Sequence, residues 1–112
     1  MLKDDTIYLE HIHDSLLRIE EYLLNVTEDT FNRNLLLQDG ITRQFEIVGE
    51  AAKRVSIDFK KQHADILWKL MTDMRNKLIH DYFDVRTDIL WETAKSDVPP
   101  LLEQIKSLLN FK

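Results

Sequence analysis

Apolar residues recur at intervals of three and four positions along most of the chain, the spacing of the buried face of an amphipathic α-helix. No segment of useful length alternates apolar and polar residues, so strands are not predicted. The sequence predicts an all-α, up-and-down bundle of four to five helices that forms a single domain over residues 1–112. The apolar stripes of these helices cover residues 9–26, 37–55, 67–78, 88–96 and 98–109.

Capping residues and turn residues set the expected boundaries of the first two helices. Asp5 or Thr6 is expected to cap the start of the first helix, because short polar side chains bond to the free N–H groups there. The polar cluster over residues 27–30 is interpreted as a turn that leads into the second helix. That helix is expected to end near Ser56.

The boundaries of the later helices follow from weaker signals. The third helix is expected to begin between Asp58 and Asp65 and to run toward His80. The pair Pro99-Pro100 is tolerated in a first helical turn but not in a helix interior. The sequence therefore predicts a break or kink near Asp97, between the last two helices.

Composition and charge narrow the function classes. The 112 residues carry 15 Lys and Arg against 20 Asp and Glu, a formal net charge of −5, which argues against broad adhesion to nucleic acid through a basic surface. The absence of cysteine excludes disulfides, thiolate metal sites and cysteine nucleophiles. No apolar run approaches the roughly 18–20 residues of a membrane span, and the N-terminus lacks the apolar region of a signal peptide. We expect a cytoplasmic protein without membrane contact, in which any contact with nucleic acid is local.

The four histidines offer little support for a metal site. Glu10 and His13 have the Glu-x-x-His spacing of di-metal helical bundles, but such sites need a second motif of the same kind. Neither His63 nor His80 supplies one, because a lysine stands three residues before each. We expect His11 and His13 to lie on the helix surface and His63 to lie in a solvated turn, and we predict neither a metal nor a cofactor.

The segment over residues 74–82 concentrates cationic, amide, imidazole and phenol groups at the end of an amphipathic helix. In an ideal helix, Arg75 and Tyr82 lie within about 20° of one another at the edge of the apolar stripe, whereas His80 points about 140° away from Arg75. Joining Arg75 to His80 therefore requires either that the helix loosens near Ile79 or that another subunit completes the pair. A purely structural alternative is that Arg75 forms a half-buried ion pair and that His80 and Asp81 terminate the helix.

Several segments resemble one known family. Residues 75–82, Arg-Asn-Lys-Leu-Ile-His-Asp-Tyr, resemble the R-x4-H-x-Y motif of the HepT toxins, which belong to the HEPN superfamily of helical ribonucleases. Residues 38–40 and 45–54 resemble the second helix of that family, and Trp91 with residues 97–101 resembles its C-terminal pair of helices. The resemblance covers nearly the whole chain.

The resemblance implies a function and partners as well as an HEPN-like bundle. It implies a homodimer with a cleft at its interface, metal-independent cleavage of RNA, and pairing with an MNT-type nucleotidyltransferase antitoxin, in an assembly that can be larger than the dimer. Arg75 and His80 correspond to the catalytic residues of the motif, and Tyr82 to the tyrosine that receives AMP from the antitoxin. Asn76 and Lys77 are candidate substrate contacts.

The chemistry of metal-free RNA cleavage fits these residue types. A base must take the proton of the ribose 2′-hydroxyl, an acid must protonate the leaving 5′-oxygen, and positive charge must face the phosphorane. His80 can serve as base or acid, and Arg75 can grip a phosphate through two parallel hydrogen bonds. One chain supplies one group of each kind, so a two-fold dimer would supply the full set.

Two other interpretations stay open. The acidic net charge also suits a catalytically silent module that docks a nucleotidyltransferase, because RNA cleavage needs a local basic patch. The candidates for such a patch are Arg75 with Lys77, Lys53, Arg54 and Lys69. A purely structural dimer is the third possibility, and in every case we expect Trp68, Met71 and Met74 to be core residues. The chain also departs from the family pattern: it has Gly40 where alanine is usual, Asp73 where glycine is common, and no proline just before Trp68.

Overall fold

The computed structural model describes residues 3–79 and 87–109, with the side chains of 76–79 excepted. This part of the chain is all-α, as predicted, and contains five longer helices and two short ones. The helices are α1 (Lys3–Tyr22), α2 (Glu28–Asn32), α3 (Leu35–Arg54), α4 (Ile57–Gln62), α5 (Trp68–Ile79), α6 (Thr87–Ser96) and α7 (Val98–Leu109). None of the helices described is long and apolar enough to cross a membrane.

The short helix α2 occupies the place of the turn expected over residues 27–30. Thr27 caps α2 by accepting a hydrogen bond from the backbone N–H of Thr30 at 3.2 Å. Asn34 then caps α3 in the same way, accepting from the N–H of Leu37 at 3.0 Å. Two caps so close together allow a single helical turn between α1 and α3 in place of an irregular connection.

The expectation that the third long helix begins between residues 58 and 65 is wrong. Ser56 caps a separate helix, α4, by accepting from the N–H of Phe59 at 3.2 Å. A turn follows, in which the indole N–H of Trp68 donates to the carbonyl oxygen of His63 at 2.9 Å, and α5 begins only at Trp68. The ends expected near Ser56 and Asp97 are confirmed, since α3 ends at Arg54 and the break between α6 and α7 falls at Asp97.

Neither Asp5 nor Thr6 caps α1, because the helix already includes Lys3. Asp5 is only 2% exposed, and its carboxylate accepts two hydrogen bonds from Ser56, one from the backbone N–H at 2.8 Å and one from the hydroxyl at 2.7 Å. The same hydroxyl caps α4, so one carboxylate orients the residue that starts that helix. Asp5 therefore ties the beginning of α1 to the junction between α3 and α4.

The core lies between α3 and the helices that flank it. Helix α3 packs against both α1 and α5, and α7 packs against α1. Phe45 and Val48 of α3 are fully buried, as is Met71 of α5. Trp68 and Met74 are buried as well, which confirms the expectation that they are core residues. This arrangement places one face of α5 against the C-terminal half of α3, where the candidate site lies.

Candidate active site around Arg75

Arg75 lies at the edge of the buried face of α5, as the helical spacing predicts. Met71 and Met74 are buried beside it, whereas the Arg75 side chain is 44% exposed. Its Nη1 donates a hydrogen bond to Oε2 of Glu50 on α3 at 2.7 Å. The half-buried ion pair that the sequence left open as a structural alternative is thus present, with Glu50 as its acidic partner.

Gly49 explains how Arg75 comes so close to α3. A Cβ atom added to Gly49 would lie 2.7 Å from the Cβ of Arg75 and 3.2 Å from the carbonyl oxygen of Met71. Real Cβ atoms essentially never approach other atoms to less than 3.0 Å, so a larger residue at this position would force the two helices apart. The missing side chain of Gly49 therefore sets the spacing at which Glu50 meets Arg75.

Glu50 faces two arginines from different helices. Its Oε2 accepts from Arg75, and its Oε1 lies 3.6 Å from Nη2 of Arg54, one turn further along α3. The carboxylate is 40% exposed, so solvent reaches this group of three side chains. The cluster of Glu50, Arg54 and Arg75 carries a net charge of +1 within a chain whose net charge is −5. Of the candidates for a basic patch, the structure therefore brings together Arg54 and Arg75.

Glu50 was not among the residues that the sequence singled out. Its partner Arg75 is 25 positions away, and no local pattern indicates which carboxylate meets which arginine. The available signal was the order Gly49-Glu50 followed by Arg54 within the segment that resembles the second family helix. A glycine in the middle of a helix often marks a close approach of another element, and it could have pointed to this position.

A groove between α1 and α3 adjoins the cluster. It has a volume of about 280 Å³, and Tyr8 and His11 of α1 line it together with Arg43, Glu50 and Arg54 of α3. The rings of Tyr8 and His11 are nearly perpendicular, with centroids 6.5 Å apart and planes at 72°. His11 is exposed, as expected of a surface residue. Glu50 therefore belongs both to the groove and to the contact with Arg75.

The other basic candidates lie elsewhere. Nζ of Lys69 lies 2.9 Å from Oδ2 of Asp73, one turn further along α5. Asp73, which stands where glycine is common in the family, therefore has a cationic neighbour. Lys53 is exposed, and it is not among the residues that line the groove. Partial burial lowers the pKa of the Lys60 ammonium, and the Asp5 carboxylate opposes this shift. That lysine lies on α4, outside the cluster.

Several predicted site residues lie outside the described part of the chain. These are His80 and Tyr82, together with the side chains of Asn76 and Lys77. The relation of Arg75 to His80 and the loosening of the helix near Ile79 therefore stay predictions. Within residues 3–79 and 87–109, no three His, Asp or Glu side chains are arranged to hold a metal ion.

The histidines not considered for catalysis have ordinary surroundings. The side chain of His13 is only 12% exposed, so the expectation that it lies on the helix surface is wrong. It stands one turn from both Leu9 and Leu16, which are fully buried, and its Nδ1 lies 3.0 Å from Oδ1 of Asp14. His63 ends α4, and its ring packs on Phe59 with centroids 4.4 Å apart, so it is partly covered and not fully solvated. Both residues have structural neighbours that account for their positions.

Comparisons with known proteins identify the family. The family described as "Ribonuclease HepT-like" matches residues 12–108. The "Probable ribonuclease HepT" of Thermococcus cleftensis is 40% identical over 90% of this chain and 92% of its own length. A "Putative RNase" of Caldanaerobacter subterraneus subsp. tengcongensis is 35% identical over 96% of each chain.

A longer relative and the solved structures complete the comparison. The "Gamma-glutamylcyclotransferase and putative RNase" of Methanocaldococcus jannaschii is 42% identical over 97% of this chain, but the chain spans only 49% of that protein. No solved structure matches the chain at a significant level. The match over most of the chain, together with the 40% identity to the Thermococcus protein, shows that this chain belongs to the HepT-like ribonuclease family.

Proposed function

We propose that the chain is the toxin of a type II toxin–antitoxin pair and that it cleaves RNA as a metal-independent endoribonuclease at a site shared by the two chains of a homodimer. AMP transfer to Tyr82 by an MNT-type nucleotidyltransferase antitoxin neutralises it. The observation that supports this proposal most strongly is the placement of Arg75. A half-exposed guanidinium on α5 is held by Glu50 on α3, which packs against α5, and the segment that follows Arg75 contains His80.

Arg75 is suited to hold the scissile phosphate. A guanidinium has five N–H donors, so a bond from Nη1 to Glu50 leaves capacity for two parallel bonds to phosphate oxygens. The contact with Glu50 restricts the rotation of a long side chain, which lowers the entropy lost when the phosphate binds. Arg54 adds a second positive charge beside the same carboxylate and so favours the negative charge that develops on the phosphorane.

His80 supplies the proton transfers in this proposal. Its ordinary pKa near 6.5 allows it to act as base toward the 2′-hydroxyl or as acid toward the leaving 5′-oxygen. One chain has one such imidazole in the motif, whereas the reaction needs both an acid and a base. A two-fold dimer brings two His80 and two Arg75 side chains to one cleft, with Asn76 and Lys77 close by in sequence as candidate substrate contacts.

Tyr82 is the proposed site of control. Adding AMP to its hydroxyl would place bulk and negative charge two residues beyond His80, where they would repel and occlude the RNA phosphate. Mass spectrometry after incubation with the cognate antitoxin and ATP tests this step. Labelling at Tyr82 is expected, and labelling at another residue with Tyr82 unmodified would contradict it.

The alternative function is a catalytically silent helical module that binds a nucleotidyltransferase. The ion pair between Arg75 and Glu50 favours it in one respect, because Arg75 already has a structural partner. A silent module would give a folded protein that binds the antitoxin but does not cleave RNA.

The experiment that tests the proposal is cleavage of several classes of RNA in EDTA by purified, unmodified protein. Arg75→Ala and His80→Ala are compared with Arg33→Ala, which removes an exposed arginine paired with Asp29 at the far end of α2. We expect cleavage by the unmodified chain and by Arg33→Ala, and its loss in the other two variants, with circular dichroism showing that all are folded. A folded wild type that cleaves none of the RNAs would contradict the ribonuclease proposal and favour the binding module.

A further inference from the structure

We infer that the groove between α1 and α3 is a subsite for one unpaired nucleotide of the RNA, adjacent to the phosphate held at Arg75. The inference rests on the proposed function, because it assigns a surface to the substrate of that reaction. It concerns Tyr8, His11 and Arg43, none of which belongs to the R-x4-H-x-Y motif.

The size of the groove limits what it can hold. Its volume is about 280 Å³. This is slightly below the roughly 300 Å³ at which pockets for small organic ligands begin, so the groove has room for one nucleotide at most and not for a folded element of a partner protein.

The α1 side of the groove offers aromatic surfaces. Tyr8 and His11 are three residues apart on α1 and both line the groove, with ring planes at 72°. Unpaired bases stack on aromatic side chains, and this stacking is the main base contact in proteins that bind single strands without strong sequence preference. Tyr8 also packs against the core, but His11 is exposed.

The α3 side of the groove carries two arginines whose distances to their acidic partners are long for hydrogen bonds. Arg43 lies 3.5 Å from Glu46, and Arg54 lies 3.6 Å from Glu50, whereas good N–H···O hydrogen bonds measure about 2.7–3.2 Å. Both arginines are mostly exposed. They can therefore turn toward a phosphate at little cost, in contrast to Arg75, which Glu50 holds at 2.7 Å.

Glu50 connects the groove to the proposed reaction site. It lines the groove and also holds Arg75, so a nucleotide in the groove and a phosphate at Arg75 would lie on either side of one side chain. In the groove itself Arg43 and Arg54 balance Glu46 and Glu50, and Arg75 beside it brings the net charge of this surface to +1. Aromatic rings beside such a charge favour RNA over an acidic peptide, which lacks bases to stack.

The test is the dissociation constant of a short fluorescein-labelled single-stranded RNA, measured by fluorescence anisotropy on the full chain. The His80→Ala variant serves as the background so that the RNA stays intact. Tyr8→Leu, His11→Ala and Arg43→Ala are made in this background, with Arg33→Ala as the control for loss of an exposed, paired arginine. Tyr8→Leu keeps an apolar side chain packed against the core. His11 and Arg43 are exposed, so His11→Ala and Arg43→Ala still test the inference if Tyr8→Leu does not fold.

We expect each loss of a ring to weaken RNA binding by about five-fold or more. Arg43→Ala should also lower the slope of log Kd against log salt concentration by about 0.7, the value for one phosphate contact on a single strand. In cleavage assays with His80 intact, the same changes should raise KM and leave kcat within about two-fold, because the groove binds RNA away from the reacting atoms.

The outcomes separate this inference from the ribonuclease proposal. If the chain cleaves RNA but the groove variants keep the Kd and KM of the Arg33→Ala control, the subsite is wrong and the ribonuclease stands. If RNA binds in a groove-dependent way but no cleavage occurs, the subsite stands and the ribonuclease proposal fails. Displacement of RNA by poly-glutamate as readily as by unlabelled RNA would overturn the subsite, because it would show a general anion contact.

Discussion

Gly49 of α3 and Arg75 of α5 lie so close together that an added Cβ on Gly49 would stand 2.7 Å from the Cβ of Arg75. Met71 and the backbone nitrogen of Arg75 also lie within 3.3 Å of that added atom, which leaves no flexible side chain to move aside. The fold and the candidate site therefore depend on the same contact, because this spacing brings Glu50 to Arg75.

Gly49→Ala should lower both stability and activity. The added methyl forces α3 and α5 apart, and overpacking of this kind costs about 1–3 kcal/mol of unfolding free energy. Displacement of Arg75 should also reduce kcat/KM by about ten-fold or more, since a shift of about 1 Å in a positioning group has effects of this size. Urea unfolding and steady-state cleavage measure the two effects.

Gly40→Ala is the matched control in the same helix. An added Cβ at Gly40 would lie 3.8 Å from the nearest ring atom of Tyr22, an ordinary contact. Alanine is the better helix former, so this variant should gain about 0.5–1 kcal/mol of unfolding free energy and keep its cleavage rate. Equal effects at the two glycines would contradict the importance of the Gly49 contact.

Glu50→Gln should separate catalysis from stability. The ion pair with Arg75 is about half exposed, and such pairs contribute at most about 1 kcal/mol to folding. Loss of the charged partner lets the guanidinium of Arg75 reorient, so kcat should fall by about ten-fold. RNA affinity should not fall, since a negative charge is removed beside the phosphate.

Asp73→Asn provides the comparison for Glu50→Gln. It breaks the pair between Asp73 and Lys69 on α5 and makes the same change from carboxylate to amide. We expect its kcat and its stability to match the wild type. If both variants lose activity equally, Glu50 does not act by positioning Arg75.

Asp5→Ala should destabilise the fold without a direct effect on the site. Two donors of the partly buried Ser56 lose their acceptor, which costs about 2–4 kcal/mol because hydrogen bonds to a charged group are strong. Asp4→Ala, at the exposed neighbouring position, should change the unfolding free energy by less than about 0.5 kcal/mol. Urea unfolding compares the two, and a similar small loss in both would show that the Asp5 contact contributes little.

A mixed dimer tests whether two chains share one reaction site. A heterodimer of one wild-type chain and one His80→Ala chain, purified through two different tags, should lose most of the cleavage activity of the wild-type dimer. The reason is that the one shared cleft would then lack either its acid or its base. Activity per dimer close to that of the wild type would contradict a shared site.

The helical part of the fold could be predicted because its signal is local. The spacing of apolar residues predicted the five longer helices and the place of Arg75 at the edge of a buried stripe, and the pair Pro99-Pro100 predicted the break at Asp97. The start of α5 could not be predicted in this way, because Ser56 is fixed by Asp5, 51 positions earlier, and caps a separate helix.

The candidate site was predictable only in part for the same reason. Arg75 follows from its motif, and Arg54 from the search for a basic patch. Glu50 could not be predicted, because its role depends on how α3 packs against α5. A stripe of apolar residues predicts that two helices pack together, but not their register or the distance between them. The groove depends in turn on how α1 lies along α3, so no pattern in the sequence indicated that Tyr8 and His11 line a binding site.

The measurement that tests the central claim most directly is the chemical identity of the ends that the unmodified protein leaves on RNA in the presence of EDTA. Attack by the ribose 2′-hydroxyl, assisted by acid and base groups and by Arg75, leaves a 2′,3′-cyclic phosphate on one fragment and a 5′-hydroxyl on the other. We predict these ends, and their absence with Arg75→Ala. Fragments with 3′-hydroxyl and 5′-phosphate ends, or cleavage that EDTA abolishes, would contradict a metal-independent ribonuclease.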